Sequence, residues 1–253
     1  MRKTILPIAF AAALAVSFTV SPVVKADSKK TNTLTIVTDS APVTAVTPVT
    51  AEVSAEATAL SLYERLELNK LGLSVDAMKH GYKGYEQLRQ KGALPNSDIL
   101  TIVDFSQSSR KKRLYIIDMA NDKVLMNTYV AHGKNSGLDN ATKFSNIPES
   151  LQSSLGFYVT KGTYFGKHGL SLRLDGKEQG WNDKAEARAI VVHGADYIGE
   201  HRKNSAYMGR SFGCPAVPRE LSAKMINLVK DGTCLFIYHP SSRYLQDSKL
   251  LNG

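Results

Sequence analysis

A thiol and an imidazole are the two groups in this sequence whose positions favour covalent chemistry. Cys214 follows Gly213 and precedes Pro215. Because a residue before proline is restricted to extended geometry, the thiol should project from a fixed loop. His193 directly follows an apolar run, residues 189–192, that is typical of a buried strand, so its ring should be held rigidly at a cleft. A thiol becomes an effective nucleophile when a base takes its proton, and the pair therefore predicts attack on an amide by Cys214 with His193 as the base.

The loop around Cys214 also offers the groups that such an attack requires. The attack creates an oxyanion, which aligned N–H donors stabilise. The backbone N–H groups of Gly213 and Cys214 are the candidates, and Ser211 is expected to support the loop or the substrate by hydrogen bonding. Pro218 fits the first turn of a helix, and a helix N-terminus near Cys214 would favour the thiolate.

Other interpretations of these residues stay open at the level of sequence. The chain has two cysteines, Cys214 and Cys234, and in an oxidising compartment they could form one disulfide. Cys234 has apolar neighbours in a predicted strand, which favours a buried and inert thiol. His193 taken alone is more often a structural residue. No close-spaced ligand set such as His-x-x-x-His occurs, so we expect no metal site.

Short β-rich runs must position this loop and this histidine. The predicted strands are residues 99–105, 114–119, 124–130, 155–160, 189–192 and 234–238. A single late helix begins at Pro218 and extends through Val229, with Gly232 just beyond its end. Many short strands with one late helix predict a mainly β catalytic domain, a β-sandwich, over residues 97–240. The remaining residues, 241–253, are assigned to a C-terminal tail.

Two helices are predicted in front of this domain. Leucines at helical spacing begin after Ala59, and Gly72 is a plausible stop. Ser74 can cap a second helix that extends to Gly92. Residues 59–94 are therefore predicted to form a helical hairpin packed on the main domain, which makes the whole chain α+β.

The N-terminal part of the chain has the composition of a targeting segment and a linker. Residues 1–26 combine a basic start, a long uncharged apolar run and small residues at positions 24 and 26, so a signal peptidase could cleave after Ala26. An uncleaved membrane anchor is the alternative, because the apolar run is nearly long enough to span a bilayer. Residues 27–58, rich in Ser, Thr, Ala, Val and Pro, are predicted to be a flexible linker. We therefore expect an exported protein, periplasmic, secreted or associated with the cell wall, that leaves the membrane once the signal peptide is cleaved.

The charge of the chain narrows the class of its partners. The formal net charge is +9, and loss of residues 1–26 would lower it to +6. A moderately basic exported protein can associate with acidic polymers. Nucleic acid is not expected as a partner, because the basic residues are spread out and export removes the protein from it. The densest basic cluster, residues 110–113, is interpreted as a solvated turn between two strands.

The order of His-Gly at 193–194 and Ser-x-Gly-Cys at 211–214 resembles the catalytic signature of the L,D-transpeptidase (YkuD) superfamily. More narrowly, residues 99–238 are similar to the murein L,D-transpeptidase branch that has Gly-Cys-Pro at the nucleophile. The supporting segments are residues 130–133, 135–137, 154–158, 168–176 and 192–197. The resemblance covers more than half of the chain that follows the leader, which makes it specific.

This resemblance implies a mechanism. Cys214 would attack the amide between the third and fourth residues of a peptidoglycan tetrapeptide stem and release the terminal D-residue. The side-chain amine of a diamino acid on a second stem would resolve the thioester and give a 3→3 cross-link. His193 would act as base and then as acid, with a backbone carbonyl orienting its ring. Members of this kind use no metal or organic cofactor, and many are acylated by carbapenems. The expected partners are donor and acceptor stems, and we expect a monomer.

Two places depart from the commoner superfamily pattern. Phe212 stands where a His usually separates Ser from Gly, and Pro215 and Ala216 stand where a basic residue usually follows Cys. Arg210 and Arg173 are therefore the candidates for gripping a stem carboxylate with two hydrogen bonds. Each could equally be a surface ion-pair partner.

His168 and Gly194 complete the predicted substrate-binding residues. Gly194 directly follows the predicted base. His168 and His132 each precede a glycine within the resembling region, and each either lines the cleft or has an ordinary loop role.

Three functions agree with these residues. The first is transpeptidation. The second keeps the acyl-enzyme but resolves it with water, as an L,D-carboxypeptidase or endopeptidase would, and the sequence does not separate the two because they differ in water exclusion and acceptor binding. The third is a non-catalytic protein that binds the cell wall on the same scaffold. The presence of both Cys214 and His193 argues against the third, since a binding protein needs neither.

Overall fold

Eight β-strands form the scaffold of the computed structural model, which describes residues 48–253. They are β1 (Ile99–Asp104), β2 (Leu114–Asp118), β3 (Lys123–Thr128), β4 (Gly156–Gly166), β5 (Gly169–Gly176), β6 (Val191–Ala195), β7 (Ala216–Pro218) and β8 (Cys234–Tyr238). All eight belong to one mixed sheet in the order β3-β2-β1-β8-β4-β5-β6-β7. The predicted fold class is therefore confirmed, with its strands in a single continuous sheet.

The last strand of the chain, β8, lies at the centre of this sheet. It pairs in parallel with β1 and antiparallel with β4. Every residue of β1 and β8 is buried. Strands covered on both faces need no polar alternation, which explains why these two runs are largely apolar.

The two edges of the sheet approach each other. The chain that leaves β3 meets β7, at the opposite edge, through a bridge in which Ala131 N–H donates to Ala216 O at 2.8 Å. Gly133 forms a second bridge with Ser211. The sheet is therefore nearly closed into a barrel, and the segment after β3 supports the residues that precede β7.

A helical hairpin packs on this sheet. It consists of α1 (Pro48–Arg65), the single turn α2 (Leu68–Leu71) and α3 (Val75–Gln90). Ser74 caps α3 as predicted, because its Oγ accepts from Ala77 N–H at 3.1 Å. A glycine lets α3 lie against the sheet, since a Cβ at Gly84 would lie 2.0 Å from Cζ of Phe157 in β4.

The first helix begins earlier than the sequence pattern indicated. It starts at Pro48, so residues 48–58 of the predicted linker are helical. This segment is rich in Ala and Glu, which are strong helix formers, whereas the linker prediction rested on its small and polar composition. The predicted signal peptide, residues 1–26, and the rest of the linker, residues 27–47, lie outside the described residues. Between residues 48 and 253, no helix has the length and apolar character needed to cross a membrane.

The late helix is present as α4 (Arg219–Val229). Pro218 is the last residue of β7 and the N-cap of this helix, so it precedes the first turn instead of lying within it. Helix α4 packs closely on β6, because a Cβ at Gly194 would lie only 2.6 Å from Ser222 Oγ. Gly194 is therefore required where the helix and the strand meet.

The residues after β8 fold onto the domain. They form α5 (Ser242–Asp247) and α6 (Lys249–Asn252). The buried carboxyl group of Glu178 accepts a hydrogen bond from Tyr244 OH at 2.8 Å and another from Ser248 Oγ. Residues 241–253, predicted to be a tail, are thus tied to the interior by hydrogen bonds and are part of the folded domain.

Two strands, β5 and β7, are absent from the sequence prediction. β5 has leucines at alternate positions, but leucine is not β-branched and a glycine stands at each end, which indicates a loop. β7 is only three residues long and ends in Pro218, a residue that rarely occurs inside a sheet. Both strands belong to the edge of the sheet that holds the candidate site.

Candidate active site

Neighbouring strands bring the predicted nucleophile and base together. β6 begins at Val191 and includes His193, which lies opposite Ser171 of β5 and Ala216 of β7. Cys214 shortly precedes Ala216, where the chain enters β7. Cys214 and His193 both line one cavity of about 470 Å³. The structure therefore places the two groups in the same cleft.

The lining of this cleft is basic and aromatic. Among the described residues it includes no carboxylate side chain. Its cationic and aromatic side chains are Lys167, Arg188, Arg210, Tyr164, Tyr197 and Phe212. Such a surface favours an anionic ligand.

The thiol of Cys214 is half-buried and faces a backbone carbonyl. Sγ lies 3.7 Å from the oxygen of Ala189, a residue with a left-handed φ of 52°. Burial raises the pKa of Cys214 above its ordinary value, while a backbone hydrogen bond from Val191 and the charge of Arg188 act in the opposite direction. The resting thiol is therefore protonated at neutral pH.

Helix α4 does not supply the thiolate stabilisation that the sequence analysis predicted. β7 separates Cys214 from the first residue of α4, Arg219. The field of a helix terminus falls off within about one turn, so a strand placed between the two groups removes the effect. The prediction placed the helix start one residue too early and missed the strand before it.

His193 is held by the carbonyl of the next residue. It is 3% exposed, and its Nδ1 lies 3.1 Å from Gly194 O. Because a carbonyl oxygen only accepts, Nδ1 carries the proton and Nε2 is the basic atom. Burial lowers the pKa of His193, and the neighbouring His168 acts in the same direction. The imidazole is therefore neutral at neutral pH, as a general base must be.

Ser211 forms hydrogen bonds within the nucleophile loop, residues 211–214, which carries Cys214. Its Oγ donates to the carbonyl oxygen of Cys214 at 2.6 Å and accepts from Gly213 N–H at 3.1 Å. The backbone N–H of Ser211 donates in turn to His132 O at 2.9 Å. This arrangement occupies the N–H of Gly213, which the sequence analysis assigned to the oxyanion. Of the two predicted donors, the N–H of Cys214 is left for that role.

Gly213 has a backbone conformation and an environment that exclude other residues. Its φ is +122°, in the region that favours glycine. A Cβ at this position would lie 2.8 Å from Gln152 O. The glycine before Cys214 is therefore required by the shape of the loop, whatever part its N–H takes in the chemistry.

Two of the predicted substrate-binding residues lie in the cleft and two lie outside it. His168 and Arg210 are part of its lining, whereas Arg173 and Gly194 are not. Arg173 is exposed on β5, with its guanidinium 4.4 Å from the centre of the Tyr164 ring. Gly194 faces α4, so its contribution to the site is the carbonyl that holds His193. Arg173 and Gly194 are not brought into the cleft lining, and their contacts with substrate stay predictions.

Arg210 is anchored at the edge of the cleft. Its Nη1 donates to Lys134 O at 2.7 Å and to Gly137 O at 3.0 Å. The guanidinium also lies 4.9 Å from the centre of the Tyr207 ring. None of the ion pairs within residues 54–253 involves Arg210. Its charge is therefore available to an anionic ligand.

Arg188 is a cleft residue that the sequence analysis missed. Its guanidinium donates four hydrogen bonds, all to residues 145–154. The side chain belongs to no motif. No local signal could have found it, because the residues that hold its guanidinium are 34 to 43 positions away in the sequence.

A buried arginine and histidine lie behind the nucleophile loop. Arg113 and His132 are both 0% exposed, and Arg113 Nη2 lies 2.8 Å from His132 Nδ1. Arginine only donates, so Nδ1 accepts and Nε2 carries the proton, facing Gly137 O at 3.3 Å. Burial and the charge of Arg113 lower the pKa of His132 to about 4. His132 is therefore a neutral support of the loop and not part of the cleft lining.

The two cysteines are separate free thiols. Cys234 is 0% exposed in β8, and burial raises its pKa well above the ordinary value. The disulfide alternative therefore does not describe this structure. In the part of the chain that the structure describes, no cluster of three or more His, Cys, Asp or Glu side chains is arranged to hold a metal ion.

Known proteins give the family of this chain. A family model described as the L,D-transpeptidase catalytic domain matches residues 69–238. Comparison with curated protein sequences gives no match. Similar solved structures include an L,D-transpeptidase from Mycobacterium smegmatis, with 13% identity, a TM-score of 0.35 and coverage of 56% of this chain and 59% of that chain. An L,D-transpeptidase from Stackebrandtia nassauensis has 12% identity, a TM-score of 0.35 and coverage of 64% of this chain and 66% of that chain.

The family model is the basis of the assignment. The chain spans 59% of the length of the Mycobacterium smegmatis protein, so the two correspond only in part. The family model, in contrast, covers helices α3 and α4 and all eight strands, and its 69–238 match is more than half of the chain. On that ground, the chain belongs to the L,D-transpeptidase catalytic domain family.

Proposed function

We propose that this protein is an exported cysteine L,D-transpeptidase that forms 3→3 cross-links between peptidoglycan stems through a thioester on Cys214. The observation that carries the proposal is the shared cleft, in which Cys214 and His193 lie with three cationic side chains and no carboxylate among the described residues. Membership of the family supports peptidoglycan peptides as the substrate class. Stem peptides have free carboxylates, so a basic cleft favours them.

The first half-reaction forms the acyl-enzyme. His193 Nε2 takes the thiol proton as Cys214 Sγ attacks the carbonyl carbon of the third stem residue. The N–H of Cys214 donates to the oxyanion, since Ser211 Oγ already accepts from Gly213 N–H. The bond to the fourth residue breaks, His193 returns the proton to the leaving amine, and the terminal D-residue departs.

The second half-reaction transfers the acyl group. The acceptor amine attacks the thioester carbon, and His193 takes a proton from the attacking nitrogen. The carbon–sulfur bond breaks, the proton passes to the departing thiolate, and a new amide joins the two stems. Both halves begin with a neutral imidazole, and the burial that lowers the pKa of His193 keeps it neutral.

Export is part of this proposal. Peptidoglycan lies outside the cytoplasmic membrane, and residues 1–26 have the basic start and apolar run of a signal peptide. N-terminal sequencing of the protein from the cell envelope tests this step. A start after Ala26 would support cleavage, whereas an intact N-terminus would support an anchor.

The test of the reaction is mass spectrometry of the purified mature protein after incubation with a disaccharide-tetrapeptide. The wild type should give a cross-linked dimer that lacks one terminal residue, and Cys214→Ala should give none. Cys234→Ala is the matched control, because it removes the other thiol, which is buried in β8, and should keep product formation. A carbapenem should add its mass to the wild type and to Cys234→Ala, but not to Cys214→Ala.

Each other outcome identifies a different function. Tripeptide without dimer from the wild type would assign the protein to the L,D-carboxypeptidases. A dimer from Cys214→Ala would refute the thioester mechanism. If a protein with a free Cys214 thiol gives neither product nor adduct, the result would indicate a non-catalytic protein that binds the cell wall.

A further inference from the structure

The guanidinium of Arg188 lies beside the nucleophile loop. A Cβ on Gly213 would lie 3.4 Å from Arg188 Nη2. Ala189, the next residue after Arg188, has its carbonyl oxygen 3.7 Å from Cys214 Sγ. Arg188 is therefore next in sequence to the residue whose carbonyl contacts the thiol, and its guanidinium lies beside Gly213, the residue before Cys214.

Four neutral acceptors hold this guanidinium in place. Nη1 donates to Ser145 O at 2.8 Å and to Ser154 Oγ at 2.5 Å. Nη2 donates to Gln152 O at 2.7 Å and to Ser150 Oγ at 3.1 Å. Through these bonds Arg188 ties residues 145–154 to the segment that precedes β6.

No carboxylate neutralises Arg188. None of the ion pairs among the described residues includes it, and its Nε is buried without a hydrogen-bond partner. The groups whose negative charge would favour the guanidinium are Tyr158 and Cys214. Tyr158 is fully buried, donates to Ser154 O, and has a pKa raised well above the ordinary value, so it stays neutral. The thiolate of Cys214 is therefore the anion that complements this charge.

The other groups that face Cys214 stabilise its thiolate less than Arg188 does. Burial opposes the thiolate, and Lys167, at the turn between β4 and β5, favours it. Lys167 is exposed, so water and salt screen its charge. Three titratable groups nearby are neutral at neutral pH: His193, His168 and Tyr197. Among the described residues near the thiol, Arg188 is thus the cation that is fixed by hydrogen bonds and half-buried, whereas Lys167 is exposed.

We propose that Arg188 is a positioning residue for acyl transfer, whose fixed guanidinium stabilises the Cys214 thiolate as it forms in the attack and again as it leaves the thioester. This inference rests on the proposed function, in which Cys214 is the nucleophile. Burial keeps the resting thiol protonated, and the guanidinium limits the cost of ionising it when His193 takes the proton. The same side chain aligns the loop, because residues 145–154 pack against Gly213.

The test is the pH dependence of Cys214 alkylation by iodoacetamide in the mature protein, measured by mass spectrometry of the peptide that contains Cys214. In Arg188→Met the apparent pKa of Cys214 should rise, and below that pKa each unit of rise slows alkylation about tenfold. Arg188→Lys keeps a cation and should lie between the wild type and Arg188→Met. Arg210→Met is the matched control. It removes another cleft guanidinium that binds backbone carbonyls, and Arg210 is not among the groups that shift the pKa of Cys214.

The outcomes distinguish an electrostatic role of Arg188 from a purely structural one. If Arg188→Met lowers the Tm but leaves the alkylation profile unchanged, the role is structural and the proposal is overturned. An equal shift in Arg210→Met would also overturn it, because the effect would then belong to any cleft cation. Should Arg188→Met fail to fold, Arg188→Gln retains an amide donor for residues 145–154 without the charge and gives the same comparison. Alkylation needs no peptidoglycan, so this result is independent of whether cross-linking is found.

Discussion

The imidazole rings of His193 and His168 stack with their centres 4.2 Å apart and their planes 22° from parallel. His168 reaches this position from the turn between β4 and β5, where its carbonyl oxygen also accepts from Arg219 Nη1 at 3.4 Å. The stack shields His193 from water and places a second basic ring beside it. Both effects disfavour the protonated form, and the pKa of His193 is lowered accordingly.

Replacing His168 should lower the fraction of His193 that is neutral at mildly acidic pH. In His168→Ala the pKa of His193 should rise towards its ordinary value, so the imidazole becomes protonated at a higher pH. The acidic limb of the kcat/KM profile should therefore move to higher pH. Donor consumption measured from about pH 5 to pH 8 checks this, with His201→Ala, an exposed histidine, as the control. An acidic limb that stays in place would show that the stack does not tune His193.

The two arginines predicted to bind a carboxylate should behave differently. Arg210→Ala removes a cleft cation and should raise the apparent KM of the donor stem roughly tenfold with little change in kcat, since a hydrogen bond to a charged group is worth about 1.5–3 kcal/mol. Arg173→Ala is the matched control, because Arg173 is not itself one of the residues that line the cleft and the variant should keep the wild-type KM. Steady-state kinetics of both variants, which give KM for the donor stem and kcat, test this prediction. If only Arg173→Ala raised the KM, Arg173 and not Arg210 would be the residue that binds the carboxylate.

The loop before Cys214 should not tolerate a side chain on Gly213. Gly213→Ala combines a φ of +122° with a Cβ 2.8 Å from Gln152 O, so the loop must move or the protein must lose about 1–3 kcal/mol of stability. Carbapenem acylation of Cys214 should slow markedly. Gly162→Ala is the control, because no heavy atom lies within 4 Å of its added Cβ and the variant should be acylated at the wild-type rate. Normal acylation and stability in Gly213→Ala would mean that the loop adapts freely.

His132 should make the domain less stable as the pH falls. Its pKa is about 4 in the folded protein against an ordinary value of 6.5, so between these values the unfolded chain binds more protons. The stability it contributes is present above about pH 6.5 and is lost as the pH falls towards 4, by up to about 3 kcal/mol. His132→Gln can bond Arg113 and Gly137 without titrating. Urea unfolding at pH 7 and at pH 5 should therefore show a smaller loss in His132→Gln than in the wild type.

A control distinguishes the effect of replacing His132 from the effect of replacing any histidine. His201 is exposed, so His201→Gln should lose the same stability on acidification as the wild type. If His132→Gln and the wild type lose equal stability, the buried pair of Arg113 and His132 does not cause the pH dependence.

The features of the cleft whose placement follows from the sequence are local. Cys214 is placed by the glycine and proline on either side of it, and His193 by the apolar residues before it, so short patterns suffice to identify both. The cap of α3 by Ser74 is local in the same sense, because the capped N–H belongs to Ala77.

The parts that were missed depend on strands far apart in the sequence. Arg188 contacts residues 145–154, and this contact exists only once β4 and β6 have been arranged on either side of β5. The hydrogen bond that occupies Gly213 N–H depends on the rotamer of Ser211, which no spacing encodes. β7 is too short to give a periodic pattern, so the distance between Cys214 and helix α4 could not be predicted.

The central position of β8 determines the order in which a growing chain can fold. β8 joins β1–β3 to β4–β7, and these two groups otherwise meet in the described sheet only at the bridges of Ala131 and Gly133. Synthesis runs from the N-terminus, so both groups are made before the strand that unites them. Until residue 238 has been added, the two groups lack the strand that pairs with β1 on one side and with β4 on the other. An incomplete chain therefore contains Cys214 before the strand that joins the two halves of the sheet around it is present.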